Sequence, residues 1–174
     1  MNKPEKEAIE QVANLMCASA RTAPKACGID NIETLVIKKP QIKRLAKEMR
    51  QIAKKENKSS FDRDAKNILQ CDIAVLIGTK TKPIGLTVCG YCGSKDCQTS
   101  QKKGTICSFN TIDLGIAVGS AINTASLFHI DNRVMYSVGK TAIELGFFKE
   151  KIKIALGIPL SVTGKNIFFD RPPL

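Results

Sequence analysis

Nineteen residues, Cys89 to Cys107 (CGYCGSKDCQTSQKKGTIC), carry four of the chain's seven cysteines in a C-x2-C-x4-C-x9-C array. Gly90, Gly93 and Gly104 are threaded between them, and apolar stretches bracket both ends. Four thiolates converging from one loop complete a tetrahedral ligand set, which suits a cubane iron–sulfur cluster or a structural zinc. Glycines serve such a loop because the chain must fold back at positive φ and turn backbone N–H groups towards sulfur. A stretch of some twenty residues without regular structure is also uncommon in a compact domain unless something orders it. Cys89, Cys92, Cys97 and Cys107 are therefore the candidate metal ligands.

Two plainer readings compete. Free cysteines are often ordinary small buried hydrophobes, but the density and the glycine content here argue against that. Disulfides are disfavoured because seven is odd and no secretory segment precedes the array. Spacing alone leaves zinc and iron–sulfur open, since C-x2-C is common to both.

The 174 residues, 43% of them hydrophobic, are enough for one compact domain with a sizeable core. A single domain over 1–174, with the cysteine loop 83–107 inserted, is expected. No apolar run approaches the ~18 residues of a membrane span, and the charged opening MNKPEKEAIEQ runs straight into an amphipathic pattern. The expectation is a cytoplasmic protein without a signal peptide or membrane segment, where thiols stay reduced. Net charge is +11, with nine basic and two acidic residues between Lys38 and Lys58, and five lysines and one aspartate between Lys80 and Cys107. Nucleic acid is the first partner such a charge suggests. It is disfavoured by the nine aromatics, the absence of Trp and the lack of a reader motif. A basic surface equally steers an acidic electron-transfer protein.

Along the chain, Ile9, Val12, Ala13, Met16 and Ala20 predict a helix from about Lys3 that stops before Pro24. Ile32 to Ile37 reads as a first core strand. Pro40 opens a second helix whose apolar face is Ile42, Leu45, Met49 and Ile52. Ser60 is the expected N-cap of a third helix, and DIAVLIG a buried strand, with Cys71 beside it as core packing. After Cys107, Asn110 or Thr111 would cap a long helix, IDLGIAVGSAINTASLFH, apolar nearly all round. Then follow VMYSV as a short strand or turn, KTAIELG as a helix, KIKIALGIP as a last strand and GKNIFFDRPP as an extended tail. Interleaved helices and strands give an α+β class with one central sheet.

Several chemical-looking features fail on inspection. Gly139-Lys140-Thr141 resembles the end of a P-loop, but Val134 stands where its first glycine is required. Gly115 and Gly119 suggest close helix packing. His129, the sole histidine, lies at a helix end, where capping suits it better than catalysis. Cys17 and Cys27 flank Arg21, Pro24 and Lys25, where cations would lower a thiol's pKa; ordinary burial is the simpler account.

The segments SARTAPKACGIDNIETLVI, CGYCGSKDCQ and GIAVGSAINTAS together resemble a family of small ferredoxin-domain-containing proteins of unknown function. The order of elements is similar to the nitroreductase flavoproteins: ARTAPKACGIDNIET stands where that family places an A-P-S-x-x-N-x-Q-P-W type turn, and GIAVGSAINTAS, MYSVGK and ALGIP match later elements. The resemblance implies a nitroreductase-like fold, with a mainly antiparallel central sheet flanked by helices. It also implies a homodimer with FMN in a cleft between subunits, and it favours a [4Fe–4S] cluster over zinc. The flavin ring would lie near Arg21, Pro24, Lys25 and Ala26, and its phosphate near Ser137, Gly139 and Lys140, reached by Lys165 and Arg171 of the tail. The partner would be an acidic electron-transfer protein or a small-molecule redox substrate. The Arg-rich R-R-S-x-R motif that opens many nitroreductases is absent, and Gly28 and Ile32 replace the turn's usual Asn and Trp.

Overall fold

The computed structural model describes residues 2–149 and 151–169. Helix α1 (Lys3–Thr22) opens on a reciprocal cap: the Glu5 backbone donates to the Asn2 side chain, and the Asn2 backbone to the Glu5 carboxylate. Its buried stripe is Ile9, Val12, Ala13, Met16 and Ala20, the face expected from periodicity. A 3-10 turn at Ala26–Gly28 leads into β1 (Ile32–Lys38), then α2 (Lys39–Lys55), α3 (Ser59–Ile68) and β2 (Ile73–Thr79). The cysteine loop contains a short helix, α4 (Cys97–Lys103); then come α5 (Ser108–Leu127), β3 (Asp131–Asn132), α6 (Tyr136–Glu144) and β4 (Ile154–Ser161).

The four strands form one antiparallel sheet in the order β1-β2-β4-β3. β2 lies at its centre, buried at every position, which is why its sequence is a continuous apolar run instead of an alternating one. Its side chains still divide by parity. Ile73, Val75 and Ile77 face the layer of α1 and α5, while Ala74 and Leu76 face the layer of α2, α3 and α6. On the second face α6 lies hard against β4. A Cβ at Gly139 would stand 2.0 Å from the Ala155 carbonyl oxygen, and one at Gly157 2.3 Å from Val138.

Five local expectations are corrected. Ser60 does not cap α3: the helix begins one residue earlier behind Lys58, whose carbonyl takes the Phe61 N–H, and no side chain caps it. Neither Asn110 nor Thr111 caps α5. Cys107 holds that position, because its carbonyl already accepts the Asn110 N–H and the Asn110 side chain is drawn elsewhere. VMYSV is not a strand: Met135 alone exchanges two hydrogen bonds with Gly157, and Tyr136 already starts α6. Among the described residues nothing packs against Gly115 or Gly119, which are exposed beside Ile112 and Ile116, so α5 is not buried all round. The described part of the tail folds back, with Phe168 buried and Asn67 and Arg133 donating to the carbonyls of Ile167 and Phe168.

Candidate metal centre

The loop leaves β2 through Lys80–Pro83 and is tied to the body by two buried amides. The Asn31 side chain donates to the side-chain oxygen Oδ1 of Asn110 at 2.9 Å, and the Asn110 side-chain Nδ2 donates to the Lys82 backbone carbonyl at 2.8 Å. Lys80 N–H closes the set on the Asn31 backbone carbonyl. Beyond these anchors the chain turns on Gly85, Gly90, Gly93 and Gly104, all at positive φ. A side chain at any of them would be strained. The Gly93 N–H returns to the Gly90 carbonyl at 2.9 Å, making a tight turn between Cys89 and Cys92. Asp96 then caps α4 through the Thr99 N–H, and Gly104 ends it in the left-handed region.

This path brings all four predicted ligands to one cavity. Cys89, Cys92, Cys97 and Cys107 line one narrow cavity of about 10 Å³, together with Ile84, Leu86, Ser100 and Phe109. All seven cysteines are free thiols. Ser100, buried at the floor, sits 3.6 Å from the Cys92 sulfur and shares its hydroxyl with Thr105 at 2.8 Å. The Ser100 hydroxyl first, and then the Ser94 backbone, hold the Cys92 thiol below its ordinary pKa. Cys97 lies 3.7 Å from the Leu86 carbonyl. Among the described residues, no three Cys, His, Asp or Glu side chains are drawn together as a metal-holding cluster. The thiols are gathered about one cavity without being closed on a point. The donor set, four reduced sulfurs with a polar floor, fits a soft thiophilic metal or an iron–sulfur cluster.

The remaining predicted site residues divide between the layers. Arg21 donates to Asp30 and to the Ile32 carbonyl. The Lys25 ammonium reaches the carbonyls of Ala20, Arg21 and Ala23 at the end of α1, where a cation suits the helix dipole. The Ala26 N–H bonds to both oxygens of the buried Asp113 carboxylate at 3.1 and 3.2 Å. The turn itself, with Pro24, Cys27 and Gly28, is exposed. Ser137, Gly139 and Lys140 lie on α6, across the sheet. Ser137 is fully buried and donates to Asp64, which is also paired with Arg63; Gly139 is sealed against β4; exposed Lys140 pairs with Glu144 at 2.9 Å. One chain therefore does not bring the two groups together, and Ser137 and Gly139 offer no open cradle to a phosphate. Lys165 is exposed, and Arg171 lies outside the described residues. Cys17 is half-buried, with burial pushing its thiol up; Cys27 is exposed at φ 53. His129, just past α5, is exposed.

Asn31 and Asp113 escaped the sequence reading, and Asn110 entered it only as a helix cap. Asn110 and Asp113 are three apart near the start of a helix rich in apolar residues, and both are buried. That placement is the signal by which they could have been found, since polar groups inside a core must have partners.

The fold is that of the nitroreductase-like flavoproteins. It is similar to a BluB-like flavoprotein from Clostridium difficile 630, with a TM-score of 0.59 at 19% identity over 94% of this chain and 84% of that one. A nitroreductase with bound FMN from Desulfitobacterium hafniense DCB-2 gives a TM-score of 0.62 at 13% identity, covering 94% and 81%. Another nitroreductase with bound FMN, from Bacteroides fragilis NCTC 9343, gives 0.63 at 9%, covering 94% and 82%. In sequence, an uncharacterized protein of Archaeoglobus fulgidus is 36% identical over 176 residues, covering 96% of this chain and 94% of that protein. Residues 103–171 match the family described as "Uncharacterized protein containing a ferredoxin domain (DUF2148)". The chain belongs to that family. Of the four loop cysteines, the matched segment includes Cys107 alone.

Proposed function

We propose that the protein is an iron–sulfur redox protein in which Cys89, Cys92, Cys97 and Cys107 hold a [4Fe–4S] cluster. The observation that carries this reading is that four reduced thiols, dispersed over nineteen residues, line one cavity. Such a cluster supplies one-electron transfer when bound. The chain's own groups prepare the place for it. Gly90 and Gly93 allow the turn between the first two ligands, and Ser100 and the Ser94 backbone favour the thiolate form of Cys92. Ile84, Leu86 and Phe109 supply the apolar wall that limits water at the sulfurs.

A flavin is the second cofactor that the fold suggests. The exposed turn at 24–28, held by Asp113, is the surface that would meet its ring; Ser137 and Gly139 are buried, which leaves Lys140 as the exposed member of the expected phosphate group. We also propose a homodimer. The exposed stripe of Ile112, Gly115, Ile116 and Gly119 on α5 is smooth enough for close approach of a second copy. No single helix among the described residues is long and apolar enough to cross a membrane.

Anaerobic purification, followed by the visible spectrum and assays of iron, sulfide, zinc and flavin, tests the reading. The expected result is a brown protein, absorbing near ~400 nm and bleached by dithionite, with about four irons and four sulfides per chain. A colourless protein holding stoichiometric zinc and no sulfide overturns it in favour of a zinc-stabilised binding module.

A further inference from the structure

The residues next to the ligands are as unusual as the ligands. Val88 is 92% exposed, Tyr91 71% and Ile106 38%. Each immediately precedes a cysteine of the cavity: Cys89, Cys92 and Cys107. The Tyr91 ring stacks on Phe109, itself part of the cavity wall, with centroids 5.7 Å apart and planes 19° from parallel. Tyr91 therefore stands against the wall of the cavity through Phe109, and Val88 and Ile106 adjoin two of its cysteines in the chain. Exposing them to water costs free energy that burial against a partner would recover.

The surroundings are basic. Lys95, Lys102 and Lys103 are exposed along the same loop, and an adjoining cavity that shares Pro83 with the cysteine cavity is lined by Lys82 and Lys151 with Thr81, Gln101 and Thr105. Asp96 is the one acid between Lys80 and Cys107, and its carboxylate is engaged by the Thr99 N–H. Exposed apolar groups flanked in one loop by charges of a single sign suit a transient protein interface.

We propose that the mouth of the cysteine cavity is a docking surface for an acidic electron-carrier protein: an apolar spot of the partner meets Val88, Tyr91 and Ile106, and its carboxylates meet Lys95, Lys102 and Lys103. The carrier part of this identity rests on the iron–sulfur reading; the acidity and the apolar contact rest on the surface alone. A nucleic-acid strand fits less well, because stacking needs open ring faces. Tyr91 already has one face on Phe109, and Val88 and Ile106 offer none.

The test uses the full chain, with its metal as isolated, and two acidic probes: a plant-type [2Fe–2S] ferredoxin and a flavodoxin. Affinity is measured by titration calorimetry at about 20 mM and about 300 mM salt, conditions that move the screening length across the size of the rim. At least one probe is expected to bind at low salt and to weaken about tenfold or more at high salt. The combined Lys95→Glu, Lys102→Glu and Lys103→Glu variant should lose about tenfold or more at low salt, and Val88→Asp severalfold with the salt response retained. Circular dichroism confirms that both variants are folded. The proposal is overturned if neither probe binds at low salt, if the triple variant binds as the parent does, or if a random single-stranded oligonucleotide binds tighter and displaces the carrier. Iron-free protein that still binds through these lysines removes the iron–sulfur reading while leaving the surface. Iron-loaded protein that ignores both carriers does the reverse.

Discussion

Cys71, at the junction of α3 and β2, and Cys92, in the loop that follows β2, are the same side chain given opposite chemistry. Cys71 is packed among Ile68, Ala74 and the α2 face. Burial pushes its thiol up to about 12, with the nearby Lys39 charge only partly opposing. Cys92 has little burial to overcome, and the Ser100 hydroxyl and the Ser94 backbone draw it down. What separates a structural thiol from a ligand is therefore neither the residue nor its distance along the chain. It is whether the surroundings remove water and leave the thiol only an acceptor for its proton, as the Asn67 carbonyl does for Cys71, or supply groups able to stabilise the thiolate, as the Ser100 hydroxyl and Ser94 backbone do for Cys92.

The largest effect that would break this contrast is on metal content. Cys92→Ala should abolish bound iron, measured colorimetrically after anaerobic reconstitution, whereas Cys71→Ala should leave it unchanged; iron surviving in the first variant ends the ligand assignment. Alkaline stability comes next. The folded pKa of Cys71 lies above that of the free thiol, so its stabilisation is complete below about pH 8.5 and is lost as pH rises towards about 12. The unfolded chain loses the proton first, so chemical denaturation should show up to ~4 kcal/mol of loss across that window. Cys71→Val should flatten it. Removing the amide clamp with Asn110→Ala should cost roughly 1–3 kcal/mol. It should also lower metal retention during dialysis against a chelator, an effect that a variant at a site remote from the loop would not share. The smallest expected change is Ser100→Ala, which should slow alkylation of Cys92 in the metal-free protein roughly severalfold near neutral pH, read by peptide mass spectrometry.

Sequence reading reached the elements more easily than their relations. Met16 and Leu45 announce their helix faces, and the run Ile73–Ile77 its central strand, because burial imposes a period that composition cannot hide. The order β1-β2-β4-β3 was not legible, since an antiparallel strand pairs by shape and register and carries no label of its neighbour. Helix α4 was hidden because its seven residues carry no apolar stripe and are held by Asp96 and Gly104 at its ends. The cysteine positions were legible from spacing and glycine content. Ser100 was not, because a serine beneath a sulfur looks like any surface serine until the loop is folded. Likewise the resemblance to nitroreductases put Ser137, Gly139 and Lys140 on one phosphate-binding surface, whereas Gly139 and Ser137 face inward and Lys140 outward. A short helical segment distributes its neighbours around its axis.

The amide of Asn110 ties the first turn of α5 to the departure point of the loop at Lys82, and through Asn31 to the approach to β1. Both feet of the loop thus stand on the same buried post, and its middle spans the glycines between. Filling or emptying the pocket would then reshape only that span, so the sheet behind it need not register whether the pocket is loaded.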